Sequence, residues 1–177
     1  MNQVPPSISE LILAATPNAV AWARRHTVDI LQRWHFPTEG IEVARLLVSE
    51  LATNAIEHAR PTESSDTGDT EPSGSSTIVL RLWPTNGCVV VISVGDSDPR
   101  PPVPRTGDAS ATGGRGLLLT QAMANCWGYF PTQPHPGKVV WAEVPAHPST
   151  ALGEPGIGSR QAAPMLIGRV LTGLREL

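Results

Sequence analysis

The sequence predicts an α/β domain in which helices cover one face of a β-sheet. Two stretches, residues 17–34 and residues 38–60, repeat apolar side chains at the three- and four-residue spacing of an amphipathic helix. Residues 77–83 and 88–94 are typical of β-strands, and the Asn86-Gly87 pair between them indicates a hairpin. Because residues 88–94 are apolar almost throughout, we expect that strand to be central and covered by helices on one face.

The first half of the chain supplies a strand and both long helices. Residues 9–14 predict a short first strand, and Thr16-Pro17 predicts a helix start with proline at the first helical position. Pro37 ends that helix near Trp34, and Thr38 is expected to cap the next one.

The second half alternates loops with shorter elements. Polar residues 61–76 predict an exposed loop, and residues 95–114 form a long Pro- and Gly-rich segment of the kind that is either functional, such as a lid, or disordered. Residues 117–123 predict a third helix, and strands over 127–130 and 138–144 a closing hairpin. The resulting organisation is a flexible N-terminus (1–8), one folded domain (9–144), a linker (145–164) and a short C-terminal helix (165–177).

Composition and charge limit the cellular compartment and the classes of partner that we expect for this protein. A net charge of −3 provides no basic field, so neither nucleic acid nor an anionic membrane is expected as a partner. We expect no secretory signal, because the N-terminus lacks a basic region followed by an apolar run. No apolar run approaches the roughly 20 residues that are needed to cross a bilayer. Cys88 and Cys126 have no CxxC spacing, which favours reduced, buried thiols in a cytoplasmic protein.

The helix over residues 38–60 carries a row of polar side chains beside its apolar stripe. Glu50, Asn54 and His58 are four residues apart, so they lie on one face. An amide oxygen suits Mg²⁺ that already carries phosphate and water, and a carboxylate one turn away could orient a hydroxyl or take its proton. The alternative is the solvated face of an ordinary amphipathic helix.

Asp96 follows the apolar strand and opens the long loop. A carboxylate there can accept a hydrogen bond from the exocyclic amine of adenine, whereas guanine offers a carbonyl at that position, so the contact favours ATP over GTP. The alternative is a turn-forming aspartate, because Asp96-Ser97-Asp98-Pro99 is good turn chemistry.

Glycines precede the third helix, in the run Gly113-Gly114-Arg115-Gly116. Free backbone N–H groups at a helix start suit a triphosphate, and Arg115 could add a cation; a flexible hinge is the alternative. Lys138 is expected to be an exposed lysine on a sheet edge rather than a phosphate ligand. Trp127 and Trp141 are expected in the core.

The ordered set of these motifs resembles the histidine-kinase-like ATPase superfamily, which includes gyrase, mismatch-repair and chaperone ATPases. Glu50-x-x-x-Asn54 comes first, then a strand ending in Asp96, then Gly114-Arg115-Gly116-Leu117, and last Gly137-Lys138-x-Val140-Trp141. Within the superfamily, the chain resembles the small single-domain anti-sigma-factor serine/threonine kinases common in high-GC bacteria. The likeness covers about residues 9–144.

The resemblance implies a two-layer α/β sandwich of the Bergerat type, with a mixed sheet under three helices and ATP between the helices and the lid. It implies that Asn54 holds Mg²⁺, that Glu50 is the general base or orients the hydroxyl, and that Asp96 binds adenine. It also implies that the phosphates are surrounded by the residues at the end of the lid, which are Gly114, Arg115, Gly116 and Leu117. His58, Ala59 and Arg60 also fit the family's pattern.

One departure leaves two functions open. The family's Asp-x-Gly-x-Gly box reads Asp96-Ser97-Asp98-Pro99-Arg100 here, so both glycines are missing. The first interpretation is a protein kinase that sequesters a sigma factor and phosphorylates an anti-anti-sigma partner. The second is a non-enzymatic binding module gated by nucleotide, for which the altered box is an argument. Relatives of this type often pair, so a homodimer is a further expectation.

Overall fold

The computed structural model describes residues 8–59, 76–85, 89–102 and 116–147. These residues form a five-stranded sheet and three helices in two layers, which confirms the predicted α/β sandwich. The elements in chain order are β1 (Ser9–Ala14), α1 (Ala19–Arg33), α2 (Thr38–His58), β2 (Thr77–Thr85), β3 (Val89–Asp96), α3 (Gly116–Met123), β4 (Cys126–Pro131) and β5 (Lys138–Pro145).

The sheet has the strand order β1-β2-β3-β5-β4. Each neighbouring pair among the described strands is antiparallel, so the expectation of a mixed sheet is wrong for adjacent strands. The reason lies in the placement of β5. The connection from β3 through α3 leads to β4, which runs parallel to β3, but β5 lies between the two and is antiparallel to both. The prediction that β3 is central and covered by helices is confirmed.

The main core lies between the sheet and the helices. α2 packs on β2, β3 and β5, while α1 lies against α2 and β1. Alternate residues of the strands face this layer, as the period of two requires. Its buried members from α2 and the central strands include Leu47, Val48, Leu51, Leu80, Leu82, Ile92, Val94, Val140 and Ala142.

A second, smaller cluster occupies the other face of the sheet. Trp83, Val91, Cys126 and Trp141 are buried there, and Gly128 lies directly beneath the ring of Trp141. The expectation that Trp141 is a core residue is confirmed, and Trp127 packs on the helix side of the sheet against the main core.

Both long helices begin differently from the prediction. α1 starts at Ala19 rather than at Pro17, because Thr16, Pro17 and Asn18 form a separate turn in which the Ala19 N–H donates to the Thr16 carbonyl at 2.9 Å. Thr38 is the first residue of α2 and not its cap. Pro37 holds the cap position in an extended conformation, and no side chain caps the helix there.

The end of α1 is a Schellman motif. The N–H of Phe36 donates to the carbonyl of Leu31 at 2.9 Å, and the N–H of His35 donates to that of Gln32 at 3.0 Å. His35 accordingly adopts a φ of 56°, in the left-handed region that glycine prefers. This turn reverses the chain so that α2 can pack back against α1.

The shorter elements agree closely with their predicted positions. β1 has the predicted bounds, α3 begins one residue early, and β2 with β3, and β4 with β5, form the expected antiparallel pairs. Pro84 and Thr85 belong to β2 rather than to the hairpin turn. Several predicted segments fall outside the described residues: the N-terminal residues 1–7, the loop over 61–75, the Asn86-Gly87 turn with Cys88, most of the proposed lid, the linker beyond residue 147 and the helix over 165–177. Along the described stretches, no helix combines the length and apolar character needed to cross a bilayer.

Candidate functional site

The polar row of α2 lies beside the end of β3. Glu50, Asn54 and His58 are all half-buried, and α2 packs against both β3 and α3. The Nδ1 atom of His58 lies 3.8 Å from Oδ2 of Asp98, in the segment that follows β3. At 1.5 Å of rise per residue, Asn54 and Glu50 lie about 6 and 12 Å further back along the helix.

The carboxylate of Asp96 is almost completely buried. Its Oδ1 accepts a hydrogen bond from the Asp98 backbone N–H at 2.8 Å and another from Lys138 Nζ at 2.9 Å. The side chains of Lys138 and Asp96 are only 2% and 1% exposed. The expectation of an exposed edge lysine is therefore wrong: β5 lies inside the sheet, and its register sets Lys138 directly opposite Asp96 on β3.

Burial and the lysine act on Asp96 in opposite directions. Loss of water around the carboxyl raises the pKa of Asp96, and the hydrogen bond from Lys138 partly offsets this by favouring the charged form. The two opposite charges lie in a region nearly closed to water, where removing either side chain would leave the other charge without a partner.

Asp98 also points inward, and Arg100 neutralises it. The Arg100 guanidinium donates from Nη2 to Oδ2 at 2.7 Å and from Nε to Oδ1 at 2.9 Å, a two-pronged contact. These hydrogen bonds hold the pKa of Asp98 well below its ordinary range. The carbonyl of Asp98 accepts a further hydrogen bond from Lys138 Nζ at 3.1 Å. An ion pair thus joins Asp98 and Arg100, the two positions where the family's box has glycines.

Gly137 makes the approach of β5 to Asp96 feasible. A Cβ atom on Gly137 would overlap the carbonyl oxygen of Asp96 and lie 2.8 Å from Oγ1 of Thr132. Any larger residue would push the start of β5 away and lengthen the contact between Lys138 and Asp96.

The predicted phosphate end is only partly described. Gly116 is the first residue of α3, and Leu117 is buried at its start, whereas Gly114 and Arg115 lie outside the described residues. Lys138, Asp98 and Arg100 were not identified as parts of the site from the sequence. The contacts of Lys138 with Asp96 and Asp98 follow from the β3–β5 pairing, which has no local signature. Those of Asp98 with Asp96 and with Arg100 join residues only two apart.

The described residues contain no group of three His, Cys, Asp or Glu side chains placed to hold a metal ion. This does not test Asn54, since a magnesium ion bound with ATP takes most of its ligands from phosphate and water. Cys126 is buried with a free thiol, and burial, aided by Glu143, raises the pKa of this thiol to about 12. It is therefore protonated at neutral pH and unsuited to nucleophilic chemistry.

An antiparallel sheet under three helices, with a buried aspartate where β3 ends beside a helix that carries Glu50 and Asn54, defines an α/β sandwich with a candidate nucleotide site. The sequence matches the histidine kinase-like ATPase domain family over residues 13–143, and the chain belongs to that family. The resemblance to the histidine-kinase-like ATPase superfamily is thus confirmed. No curated protein matches the sequence.

One similar solved structure contains the RsbU and RsbW domains of Rv1364c from Mycobacterium tuberculosis. The two share 18% sequence identity with a TM-score of 0.50, over 78% of this chain and 32% of that one. This chain therefore spans about a third of the crystallised chain, and the likeness is one of fold.

Proposed function

We propose that this protein is an ATP-binding regulator of the anti-sigma-factor type, which transfers phosphate from ATP to a serine or threonine of a partner protein. The observation that carries the proposal is the meeting of α2 and β3 at one site. His58, the last member of the polar row, lies 3.8 Å from Asp98, two residues beyond the buried carboxylate of Asp96. Family membership supplies ATP as the ligand class.

The side chains at this site fit a nucleotide. Both described hydrogen bonds to Asp96 reach Oδ1, which leaves Oδ2 as the oxygen for the exocyclic amine of adenine. Asn54 is the residue that would hold Mg²⁺, which would neutralise phosphate charge when bound. Access has a cost: with Asp96 and Lys138 almost closed to water, a base must displace the atoms that shield them, which weakens binding.

In the proposed transfer, the partner's hydroxyl oxygen forms a bond to the γ-phosphorus and the bond from that phosphorus to the β,γ-bridging oxygen breaks. ADP is the leaving group, and Glu50 takes the hydroxyl proton. Positioning and charge stabilisation dominate this class of reaction, so a small set of side chains suffices. From the resemblance to anti-sigma-factor kinases, we also propose a sigma factor and an anti-anti-sigma protein as partners, and a homodimer as the assembly.

Calorimetric titration with ATP, with and without magnesium, tests the binding site. We expect Asn54→Ala to lose magnesium-dependent ATP binding, because the ion loses its protein ligand. Thr53→Ala, an exposed neighbour on the same helix, is the matched control and should bind normally. Unchanged Mg-ATP affinity in Asn54→Ala would refute the proposed role of Asn54. Equal affinity of the parent protein for ATP and GTP would refute the proposed role of Asp96.

Transfer itself is measured with labelled ATP and a candidate anti-anti-sigma protein. Glu50→Gln should lose transfer while retaining ATP binding, and Glu57→Gln, an exposed carboxylate on α2, should retain both. Transfer that survives in Glu50→Gln would refute the base assignment.

The second candidate is a nucleotide-gated binding module without transfer. Its support is the segment after β3, where an ion pair between Asp98 and Arg100 stands in place of the two glycines of the family's box. ATP binding with no transfer to any anti-anti-sigma candidate, combined with ATP-dependent affinity for a sigma factor, would favour this candidate.

A further inference from the structure

Lys138 is a buried cation placed beside the carboxylate proposed to bind adenine. Its ammonium group has three N–H donors. Within the described part of the chain, Nζ donates one to Oδ1 of Asp96 at 2.9 Å and one to the Asp98 carbonyl at 3.1 Å. A third donor is left for another acceptor, and at 2% exposure the side chain has little access to bulk water.

Asp96 has the complementary property. Its Oδ1 already accepts from Lys138 and from the Asp98 N–H, while the carboxylate's other oxygen, Oδ2, accepts from neither. The cross-strand pairing of Asp96 with Lys138 therefore sets a hydrogen-bond acceptor next to a hydrogen-bond donor. This adjacent acceptor and donor match a ligand that offers a hydrogen-bond donor and an acceptor on neighbouring atoms.

Adenine has that pattern, with an exocyclic amine on C6 as donor and ring N1 as acceptor. Guanine in the same pose would set its O6 carbonyl against the carboxylate and its N1–H against the ammonium, two unfavourable contacts instead of two favourable ones. We propose that Lys138 is a specificity-determining residue that donates a hydrogen bond to adenine N1 while Asp96 accepts one from the exocyclic amine.

The inference rests on the proposed ATP binding and adds a direct contact to it. Lys138 neutralises Asp96 and orients it, and the same ammonium reads the base. Because the site excludes water, a ligand without the N1 acceptor leaves a buried N–H without a partner, which costs more than a lost surface contact.

The first test compares ligands on the unaltered full chain and needs no variant. Calorimetry measures the affinities for ATP and for 1-deaza-ATP, in which a C–H group replaces N1. We expect 1-deaza-ATP to bind about ten- to a hundredfold more weakly, the range for a hydrogen bond to a charged group. Equal affinities would overturn the role of Lys138 and leave the proposed ATP binding intact. No ATP binding at all would overturn both.

A variant then assigns the effect to the side chain. Lys138→Met keeps a long side chain without the ammonium, and its affinities for ATP and 1-deaza-ATP should become equal. Arg81→Met is the matched control, because it removes a cation paired with Glu10 at 2.7 Å between β2 and β1. Arg81→Met should keep the preference for ATP. A preference for ATP that persists undiminished in Lys138→Met would refute the contact.

Lys138 is the only lysine in the sequence, which gives a readout that holds even if Lys138→Met fails to fold. Protein labelled with ¹⁵N at lysine Nζ has one side-chain ammonium signal. ATP should shift that signal strongly, whereas 1-deaza-ATP at saturation should shift it much less. Identical shifts with the two ligands would contradict a bond to N1.

Discussion

The carboxylate of Asp98 keeps its charge inside the protein because Arg100 donates hydrogen bonds to it from two guanidinium nitrogens and from the Arg100 backbone N–H. With a side chain only 4% exposed, Asp98 would otherwise lose the charge-stabilising water. Arg100 itself extends into solvent, so the pair connects the site to the protein surface. His58 on α2 is the third group at this carboxylate.

This arrangement predicts a pH-dependent contribution to stability. The pKa of Asp98 is lowered in the folded state from an ordinary value of 3.8, so the ion pair stabilises the fold above that value and its contribution is lost as the pH falls further. We expect Arg100→Gln to reduce the free energy of unfolding at pH 7, with a difference from the parent that shrinks below pH 3.8. Urea unfolding across pH measures it.

Arg25→Gln is the control for that series. Arg25 and Asp29 form an exposed pair on α1 with atoms 4.0 Å apart, a contact that contributes little. Its unfolding free energy should match the parent's at each pH. A loss in Arg100→Gln that is constant with pH would exclude the ionised Asp98 as its cause.

Among the elements, α1 ends in a turn whose sequence is not the best available. His35 takes a left-handed conformation that costs a residue with a Cβ roughly 1 kcal/mol or more, while glycine adopts it freely. The ring of His35 is exposed, so its removal loses little packing. The Schellman hydrogen bonds of His35 and Phe36 use backbone atoms and persist in any variant.

We therefore expect His35→Gly to raise the free energy of unfolding by about 0.5–1 kcal/mol, after allowing for the greater freedom of glycine in the unfolded chain. Thermal and urea unfolding followed by tryptophan fluorescence give the value. His35→Ala, which keeps the Cβ, should show no gain. Equal stabilisation by alanine would attribute the effect to the imidazole rather than to the backbone.

Local patterns allowed the elements to be predicted better than the site. Alternation and helical spacing predicted β1, α3 and the strands β2 to β5 to within two residues, because those signals reside in neighbouring side chains. The starts of α1 and α2 depend on backbone geometry around Pro17 and Pro37, which permits more than one start. The pairing of Asp96 with Lys138 joins residues 42 apart through the strand order, which no local pattern encodes.

For the molecule as a whole, α2 is the element around which both layers are assembled. It contacts α1 on one side and α3 on another, and its apolar stripe covers the middle strands of the sheet. Leu47 is fully buried near the middle of this stripe, whereas its neighbour Leu46 is 47% exposed. The pair allows burial to be tested with the chemistry held constant.

Leu47→Ala should lower the free energy of unfolding by about 2–5 kcal/mol, because it removes buried methyl groups and leaves a cavity. Leu46→Ala should lower it by less than about 1 kcal/mol, since most of its side chain is already in water. Chemical denaturation at neutral pH measures both. Similar losses at the two positions would contradict the orientation of α2 described above.

The position of β5 has a consequence for synthesis on the ribosome. The strand that occupies the gap between β3 and β4 comes after both in the chain, so a nascent polypeptide that ends before Lys138 has β3 with one unpaired, apolar edge. β4 cannot join the sheet until β5 arrives, because it pairs with that strand. Stalled or truncated products ending in this interval should therefore aggregate or require chaperones, while chains that extend past Pro145 close the edge themselves.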